Sequence, residues 1–268
     1  MTATDYSTYL RIDELLALQH PLTPGADDEM LFVVVHQAYE LWFKLILHEL
    51  GLARDRLLAG ETWAAQPRLR RAVVVEELLY QQLGVLETLT PEGFLEFRDP
   101  LAPASGFEST QFREIEILSG GQAPAVLPSQ ASRDAVARRV AEPNLWDGLC
   151  ATLRLAASSG QAPAAQAPAA QAVPGQAAAA ADEPDVLASL LDVYRDHGDP
   201  ARAAVHQVCE LLVDHDELIA RWRFRHALMA GREIGRRQGT GGSLGVAYLE
   251  STVGKRFYPL LWEVRSQL

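Results

Sequence analysis

Residues 27–50 constrain the fold more than any other stretch, because their apolar side chains fall on two faces at helical spacing. A helix that is apolar on two faces must be packed from several sides, so this segment predicts the central helix of a bundle. We expect Asp27 or Asp28 to cap its first turn. One stripe comprises Leu31, Val34, Val35, Ala38, Leu41, Trp42 and Leu45, and the other comprises Phe32, His36, Tyr39 and Phe43.

The rest of the chain repeats this helical periodicity, and the alternation typical of strands is absent almost everywhere. The sequence therefore predicts an all-α fold, a helical bundle that forms one domain over residues 1–268. The spacing of His206, His215 and Asp216 places no metal triad on one helical face, so we interpret them as residues of a solvated helix. Further helices are predicted at residues 10–18, 66–90, 92–98, 108–118, 131–157 with a break at Pro143, 185–196 and 199–237, and a docking segment at 257–262.

A low-complexity segment rich in Ala, Gln and Pro interrupts the bundle at about residues 157–184. Such a composition buries too little apolar surface to offset the entropy that is lost on ordering. We therefore predict a disordered insertion between two helices, in which prolines interrupt transient helix in the alanine runs.

Charge and cysteine content exclude several classes of function. The net charge is −11 and no basic tract stands apart from acidic residues, which argues against nucleic acid as a partner, since its binding depends on neutralising phosphates. Cys150 and Cys209 lie far apart without metal-ligand spacing, as expected for a reducing cytoplasm. We expect no signal peptide, because the N-terminus has no basic region followed by an apolar core. We expect no membrane span, because no apolar run approaches ~20 residues. Six arginines form a cluster for which the sequence leaves two interpretations, pairing with carboxylates of a cofactor or substrate, or solvated or intersubunit ion pairs: Arg221, Arg223, Arg225, Arg232, Arg236 and Arg237.

Two histidines lie on apolar helical faces. His226 shares its face with Trp222 and Met229. It is either a core histidine whose nitrogens are bonded to neighbours, or a cofactor ligand such as the proximal histidine of a haem. His36 lies among aromatic residues, and is either a core histidine bonded to a carbonyl or part of a pocket for a flat aromatic ligand.

Two loops carry polar groups suited to ligand binding. Arg98 precedes a rigid loop with two prolines, where a guanidinium suits bidentate binding of a carboxylate. Pairing of this arginine with Glu96 or Asp99 is the alternative. The glycine-rich residues 239–243 can bring the backbone close to a ligand, and Thr240 adds a hydroxyl. A helix cap followed by a flexible surface loop would have the same composition.

Four blocks, in the same order and spacing, resemble the tryptophan 2,3-dioxygenase family. The resemblance covers most of the chain except roughly residues 120–200. Four blocks together are far more specific than any one of them, and they favour the ligand-binding interpretations. The blocks are DEMLFVVVHQAYELWFK at 28–44, FRDPLAPASGF at 97–107, WRFRH at 222–226 with GTGGS at 239–243, and YSTYL at 6–10 followed by DELL at 13–16.

The resemblance implies that the helical bundle encloses a b-type haem. His226 would be the proximal ligand of the haem iron. His36 would face the indole N–H of the substrate, and Phe32 would pack against the indole ring. Ser105 would lie near the haem and the substrate. The implied reaction is cleavage of the indole C2–C3 bond of L-tryptophan by O2, which gives N-formyl-L-kynurenine.

The remaining implied roles concern the amino-acid end of the substrate and the assembly. Arg98 would bind the substrate carboxylate, and Thr240 with its loop would cover the substrate ammonium group. The family forms homotetramers from paired dimers. Tyr6 and Tyr9 would therefore reach into the pocket of a neighbouring subunit.

Three positions depart from the pattern of this family. Leu83 stands where an aromatic residue is common, Leu244 replaces a small serine, and Phe94 stands where some members have tyrosine. One alternative is therefore a related haem oxygenase that acts on a modified tryptophan or inserts a single oxygen atom. Another is a non-catalytic haem-binding protein. Arg98 and Thr240 argue against the second alternative, because a haem carrier needs no clamp for an amino acid.

Overall fold

The computed structural model describes residues 5–102, 104–159, 183–196, 198–240 and 245–268. Within these ranges the chain forms α-helices and two short 3₁₀ turns but no strand, which confirms the predicted all-α fold. The helices are α1 (Tyr6–Leu10), α2 (Ile12–Leu16), α3 (Glu29–Leu58), α4 (Thr62–Leu86), α5 (Pro91–Leu101), α6 (Thr110–Leu118), α7 (Gln130–Val140), α8 (Leu145–Ser159), α9 (Glu183–Arg195), α10 (Pro200–Ile234), α11 (Val246–Thr252) and α12 (Pro259–Glu263).

Helix α3 is the central helix of the bundle and contacts α4, α6 and α8. It buries Tyr39 and Phe43 of the second apolar stripe. Val35 of the first stripe is buried too, but Val34 and Leu41 stay exposed, so the predicted burial on both faces is confirmed only in part for the single chain. The reason is that the helices packed on α3 do not cover these two positions. The predicted side-chain cap is also wrong, because Asp28 precedes α3 without such a hydrogen bond.

By length and apolar composition, α3 meets the requirements for a membrane-spanning helix, which the sequence did not predict. Core helices of soluble proteins meet the same requirements. Glu49 is buried on α3 and accepts hydrogen bonds from Arg68 at 3.3 Å and Arg71 at 2.7 Å, both on α4. Ion pairs between packed helices are a feature of a bundle core, and α3 makes them here.

A glycine lets α8 lie directly against α3. A Cβ atom on Gly148 would meet the Cβ of Leu57 at 2.9 Å, a distance that real Cβ atoms essentially never show. Nearby, the hydroxyl of Thr152 donates a hydrogen bond to the Leu57 carbonyl at 2.8 Å. Substitution of this glycine would therefore force the two helices apart.

The boundaries of several elements differ from those predicted. Arg98 was expected to begin a loop, but α5 continues through it to Leu101. Helix α8 ends at Ser159 and α9 begins at Glu183, so both ends of the predicted insertion are helical. The remainder of that segment lies outside the described residues.

The prediction that His215 and Asp216 belong to a solvated helix is wrong, since both are fully buried. His215 Nδ1 lies 2.6 Å from Oε1 of Glu76 on α4, and its Nε2 lies 2.8 Å from Oγ of Ser119. These partners are distant in sequence, and they supply the hydrogen bonds that buried polar groups require.

Asp216 fixes the C-terminal segment on α10. Its carboxylate accepts hydrogen bonds from the backbone amides of Phe257 at 3.0 Å and Tyr258 at 3.4 Å, and from Trp262 Nε1 at 2.9 Å. Tyr258 and Leu261 are fully buried as a result. The predicted docking segment at 257–262 is therefore confirmed.

Asp216→Ala is expected to lower the free energy of unfolding by about 3–5 kcal/mol, because three donors, one of them fully buried, lose a charged acceptor that is itself buried. Asp214→Ala is the matched control, since Asp214 is exposed one position before His215, and should change stability by about 0.5 kcal/mol or less. Denaturant unfolding of both variants measures the difference. Equal stability of the two would show that the tail docks without Asp216.

Candidate active site

A cavity of about 260 Å³ is lined by residues of α3, α4, α5, α6, α10 and α11. Six of the predicted site residues line it: Phe32, His36, Arg98, Ser105, His226 and Thr240. They come from segments that are far apart in the sequence, and the bundle brings them together. Its other lining residues include Tyr39, Phe43, Leu83, Phe94, Phe112, Trp222 and Met229.

His226 faces this cavity from α10. Its ring centroid lies 4.9 Å from that of Trp222, one turn earlier. Burial and the charge of nearby His36 lower the pKa of His226 to about 4, so the imidazole is neutral at physiological pH. Neither nitrogen of the His226 ring has a hydrogen-bond partner in the part of the chain that the structure describes. This geometry disfavours a satisfied core histidine.

His36 lines the cavity from α3, and its tautomer follows from its contact. Its Nδ1 lies 2.8 Å from the carbonyl oxygen of Phe32. A carbonyl only accepts, so Nδ1 carries the proton and Nε2 of the neutral ring keeps a lone pair. Burial lowers the pKa of His36, which favours this neutral form. The two interpretations offered by the sequence therefore coexist, because the ring is bonded to a carbonyl and also forms part of a pocket.

Aromatic rings surround one end of the cavity. The ring of Phe32 lies 4.0 Å from that of His36, 5.9 Å from that of Phe94 and 5.4 Å from that of Phe97. Phe94 and Phe97 meet edge to face at 5.4 Å. Tilted and edge-to-face contacts of this kind form a rigid apolar wall that suits a flat aromatic ligand.

Arg98 lines the cavity from the last turn of α5, with a side chain that is 17% exposed. Its Nη2 donates a hydrogen bond to the carbonyl of Gln238 at 2.6 Å. Its Nη1 lies 3.6 Å from Asp99, but that carboxylate is 92% exposed, so the pair contributes little. Its Nε is buried and has no hydrogen-bond partner among the described residues. The guanidinium is thus held at the cavity with donor capacity to spare.

The loop after α10 is hydrogen-bonded to the segment after α5. The Thr240 hydroxyl donates a hydrogen bond to the carbonyl of Ala104 at 2.6 Å. Gly245 has a φ of +60°, and a Cβ there would meet the Arg237 carbonyl oxygen at 2.5 Å, so the loop requires glycine at this position. Residues 241–244 lie outside the described residues, so Leu244 is not placed.

Within the described ranges, three of the six arginines in the predicted cluster form ion pairs: Arg221, Arg223 and Arg225. Arg225 donates to both oxygens of Glu87, and Arg223 Nη2 lies 2.7 Å from Glu116. Arg113 pairs with the same Glu116 carboxylate at 2.5 Å, and this trio lines the cavity. Sequence reasoning named neither Glu116 nor Arg113, since both belong to an ordinary amphipathic helix pattern.

Sequence reasoning also missed Glu233. This residue lies seven positions after His226, which is two turns further along the same face, and it lines the cavity. The spacing was visible in the sequence, but it gained meaning only once the cavity showed which face of α10 is functional.

Tyr6 and Tyr9 do not line this cavity. Both lie on α1, where they are 76% and 74% exposed. These two aromatic side chains therefore do not contribute to the cavity of their own chain.

Comparison with known proteins gives one consistent family. A family model described as tryptophan 2,3-dioxygenase matches residues 1–137 and 184–268. A tryptophan 2,3-dioxygenase of Nocardioides sp. is 45% identical over 98% of this chain and 94% of the relative. One of Herpetosiphon aurantiacus is 43% identical over 99% of both chains, and one of Anaeromyxobacter sp. is 42% identical over 99% of this chain and 97% of the relative. The family match covers all but residues 138–183 and the identities extend over nearly the whole chain, and the chain therefore belongs to the tryptophan 2,3-dioxygenase family.

Proposed function

We propose that this chain is a haem-dependent tryptophan 2,3-dioxygenase, an oxidoreductase that cleaves the indole C2–C3 bond of L-tryptophan with O2 to give N-formyl-L-kynurenine. The observation that carries the proposal is the content of one cavity. His36 and His226 both line it, and the guanidinium of Arg98 lies at the same cavity. Family membership supports the same reaction.

The residues present fit a b-type haem. His226 offers a neutral imidazole with unbonded nitrogens to a largely apolar cavity, as a ligand of a haem iron would require. Within the described ranges no group of three or more His, Cys, Asp or Glu side chains could hold a metal ion, so the protein alone builds no multidentate site there. One imidazole suffices for a haem iron, because the porphyrin supplies the other nitrogens. When bound, the haem would supply the oxygen-activating chemistry.

The protein's own contribution is to bind and orient the substrate. Arg98 would donate two charge-assisted hydrogen bonds to the substrate carboxylate. The Thr240 hydroxyl, whose proton is used by Ala104, has lone pairs left to accept from the ammonium group. Phe32 and its neighbouring rings would pack against the indole. Fixing both ends of the amino acid in this way holds the indole in a single reactive orientation.

His36 would accept a hydrogen bond from the indole N–H through Nε2. Because Nδ1 is fixed by the Phe32 carbonyl, the ring cannot exchange tautomers without losing that bond. His36 would therefore orient the indole and steer its proton, and it need not act as an obligatory base.

His36→Ala is expected to lower kcat/KM for L-tryptophan about threefold to tenfold, the effect of one neutral hydrogen bond of about 0.5–1.5 kcal/mol. Preference for L-tryptophan over 1-methyl-L-tryptophan, which lacks the N–H, should narrow in the variant. Haem content should remain at the wild-type level. An unchanged preference would show that His36 does not contact the indole nitrogen.

We further propose a cytoplasmic homotetramer of single-domain subunits. One core of buried residues runs from Val35 to Val264, which supports one domain. Tyr6 and Tyr9 are exposed on α1, as are Val34 and Leu41 on α3, and a neighbouring subunit would cover such apolar surface. Two free cysteines, both buried, suit a reducing compartment: Cys150 and Cys209.

A related oxygenase that acts on a substituted tryptophan is the second candidate. It is favoured by Leu83, which lines the cavity where many members of the family have an aromatic residue, and by Phe94, which lines it where some members have tyrosine and others phenylalanine. Smaller or less polar residues at these positions would change the space and hydrogen bonds offered to the indole.

Product analysis separates the candidates. The haem-loaded protein, supplied with O2 and with L-tryptophan as the sole organic substrate, should form N-formyl-L-kynurenine. The product is identified by its mass and by comparison with the authentic compound. Tryptophans with hydroxyl, methyl or halogen groups on the ring form the comparison panel. A higher kcat/KM for one of them, or a product that carries one added oxygen atom on an intact ring, would select the second candidate. Absence of any oxygenated product would overturn both.

A further inference from the structure

The imidazole of His226 lacks the contact that usually orients a metal-binding histidine. Such a histidine almost always donates its second ring N–H to a carboxylate, a backbone carbonyl or a water molecule. In the part of the chain that the structure describes, no protein group accepts a hydrogen bond from His226. Ring packing is therefore what the described residues offer to orient this imidazole.

Trp222 supplies that packing from one turn earlier on α10. Its ring centroid lies 4.9 Å from that of His226, with an angle of 32° between the two ring planes. The same indole contacts the ring of Phe112 on α6 at 5.2 Å. All three side chains line the cavity. A rotation of the indole would therefore change the space in which the imidazole can turn.

The hydroxyl of Tyr39 holds the indole of Trp222. Trp222 Nε1 donates to it across 3.4 Å, which is long for a hydrogen bond. The acceptor is fixed in place, because the same hydroxyl donates to the carbonyl of Leu79 at 2.7 Å in the buried core. Burial raises the pKa of Tyr39 to about 12, although the contact with Trp222 opposes the rise, so the phenol keeps the proton that it donates.

Three helices meet at this one hydroxyl. Tyr39 belongs to α3, Leu79 to α4 and Trp222 to α10, and both α3 and α10 pack on α4. The direction of each hydrogen bond is fixed by chemistry, since a carbonyl only accepts and an indole N–H only donates. The rings of Tyr39 and Trp222 also meet edge to face at 6.2 Å. The indole is thus anchored to the rigid pair of helices α3 and α4.

We propose that Tyr39 is a positioning residue for His226. Its hydroxyl fixes the indole of Trp222, and the indole sets the rotation of the imidazole that would bind the haem iron. Tyr39 acts through Trp222 and not on the iron or the substrate. This inference rests on the proposed function, because it concerns the histidine assigned there as the iron ligand.

The test removes only the hydroxyl, by Tyr39→Phe, and examines the haem-loaded chain in its ferrous state. The iron–histidine stretching band in the resonance Raman spectrum should become broader, because the imidazole would sample several rotations. Transfer of haem from the chain to excess apomyoglobin should become about threefold to tenfold faster, the effect expected for loss of one neutral hydrogen bond.

Tyr194→Phe is the matched control for a general loss of stability. Tyr194 is 7% exposed, compared with 5% for Tyr39, and its hydroxyl donates a hydrogen bond to Glu210. It is not among the residues that line the cavity. Both variants should unfold at a lower denaturant concentration than wild type, but only Tyr39→Phe should change the Raman band and the rate of haem transfer.

Trp222→Phe tests whether Tyr39 acts through the indole. This substitution keeps an aromatic ring beside His226 but removes the N–H donor. Adding Tyr39→Phe to Trp222→Phe should change neither the band nor the transfer rate any further, because coupled residues are not additive. A further change as large as that in the single Tyr39→Phe variant would show that Tyr39 acts directly on the haem, and would overturn the proposal.

The remaining outcomes separate this inference from the proposed function. If wild type has the iron–histidine band and Tyr39→Phe leaves its width and the transfer rate unchanged, the positioning role is wrong and the proposed function stands. Equal changes in Tyr39→Phe and Tyr194→Phe also refute the positioning role, since they would reflect stability alone. A wild-type chain whose haem shows no iron–histidine band overturns the ligand assignment itself, and this inference with it.

Discussion

His226→Ala is expected to lower the amount of haem that the chain retains after reconstitution by roughly tenfold or more. Even the loss of a residue that only hydrogen-bonds to a metal ligand lowers metal affinity about 10- to 100-fold. The imidazole is neutral at physiological pH because its pKa is lowered to about 4, and it faces the cavity. Haem content per chain and the absorption spectrum measure the effect. Any residual haem should lack the spectrum of a histidine-ligated iron.

Two controls make this result specific. His48→Ala removes an exposed histidine from α3 and should leave the haem content unchanged. His226→Gly opens space in which added imidazole can replace the side chain, and should recover the histidine-type spectrum. Full haem retention by His226→Ala with an unchanged spectrum would mean that another residue is the ligand.

Arg98→Ala is expected to lower kcat/KM for L-tryptophan by roughly thirtyfold to several thousandfold. Removing one partner of a buried charge pair costs about 2–5 kcal/mol, and each ~1.4 kcal/mol corresponds to about tenfold. The structure supports this size of effect, because the guanidinium is largely buried and its bond to Gln238 leaves other donors for a carboxylate. Steady-state kinetics with L-tryptophan and tryptamine, which lacks the carboxylate, measure it.

The comparison of substrates identifies the cause. Tryptamine should lose its disadvantage in Arg98→Ala, because the clamp would no longer distinguish the two ligands. Arg98→Lys keeps the charge but loses the planar fork, so it should fall between wild type and Arg98→Ala. Haem content should stay at the wild-type level, since the proposed ligand His226 lies on α10. Equal discrimination by wild type and Arg98→Ala would refute the proposed substrate orientation.

Helical periodicity and family blocks predicted the fold class and six residues of the cavity because these depend on local pattern and motif spacing. The second apolar stripe of α3, which contains His36, and the sequence block around His226 are examples. Their placement in one cavity agrees with those predictions, while their roles remain proposals. The predicted positions of Tyr6 and Tyr9 depend on a second chain, so a single chain cannot place them in a pocket.

The predictions about burial that were wrong have a common physical cause. His215 was read as solvated, yet Glu76 and Ser119 lie beside it in the core. Periodicity reports which face of a helix is apolar, but not which distant polar group will meet it. It also does not show whether a helix of the same chain covers each position of an apolar face, and Val34 and Leu41 stay exposed.

The most direct test of the central claim is to count oxygen atoms in the product. Haem-loaded protein is incubated with L-tryptophan under ¹⁸O2 in ordinary water, and the product is analysed by mass spectrometry. A tryptophan 2,3-dioxygenase incorporates both atoms of O2, so N-formyl-L-kynurenine should carry two ¹⁸O atoms, after allowance for exchange measured with authentic product in ¹⁸O-labelled water. A product with a single ¹⁸O atom and an intact indole ring would contradict the account and identify a monooxygenase.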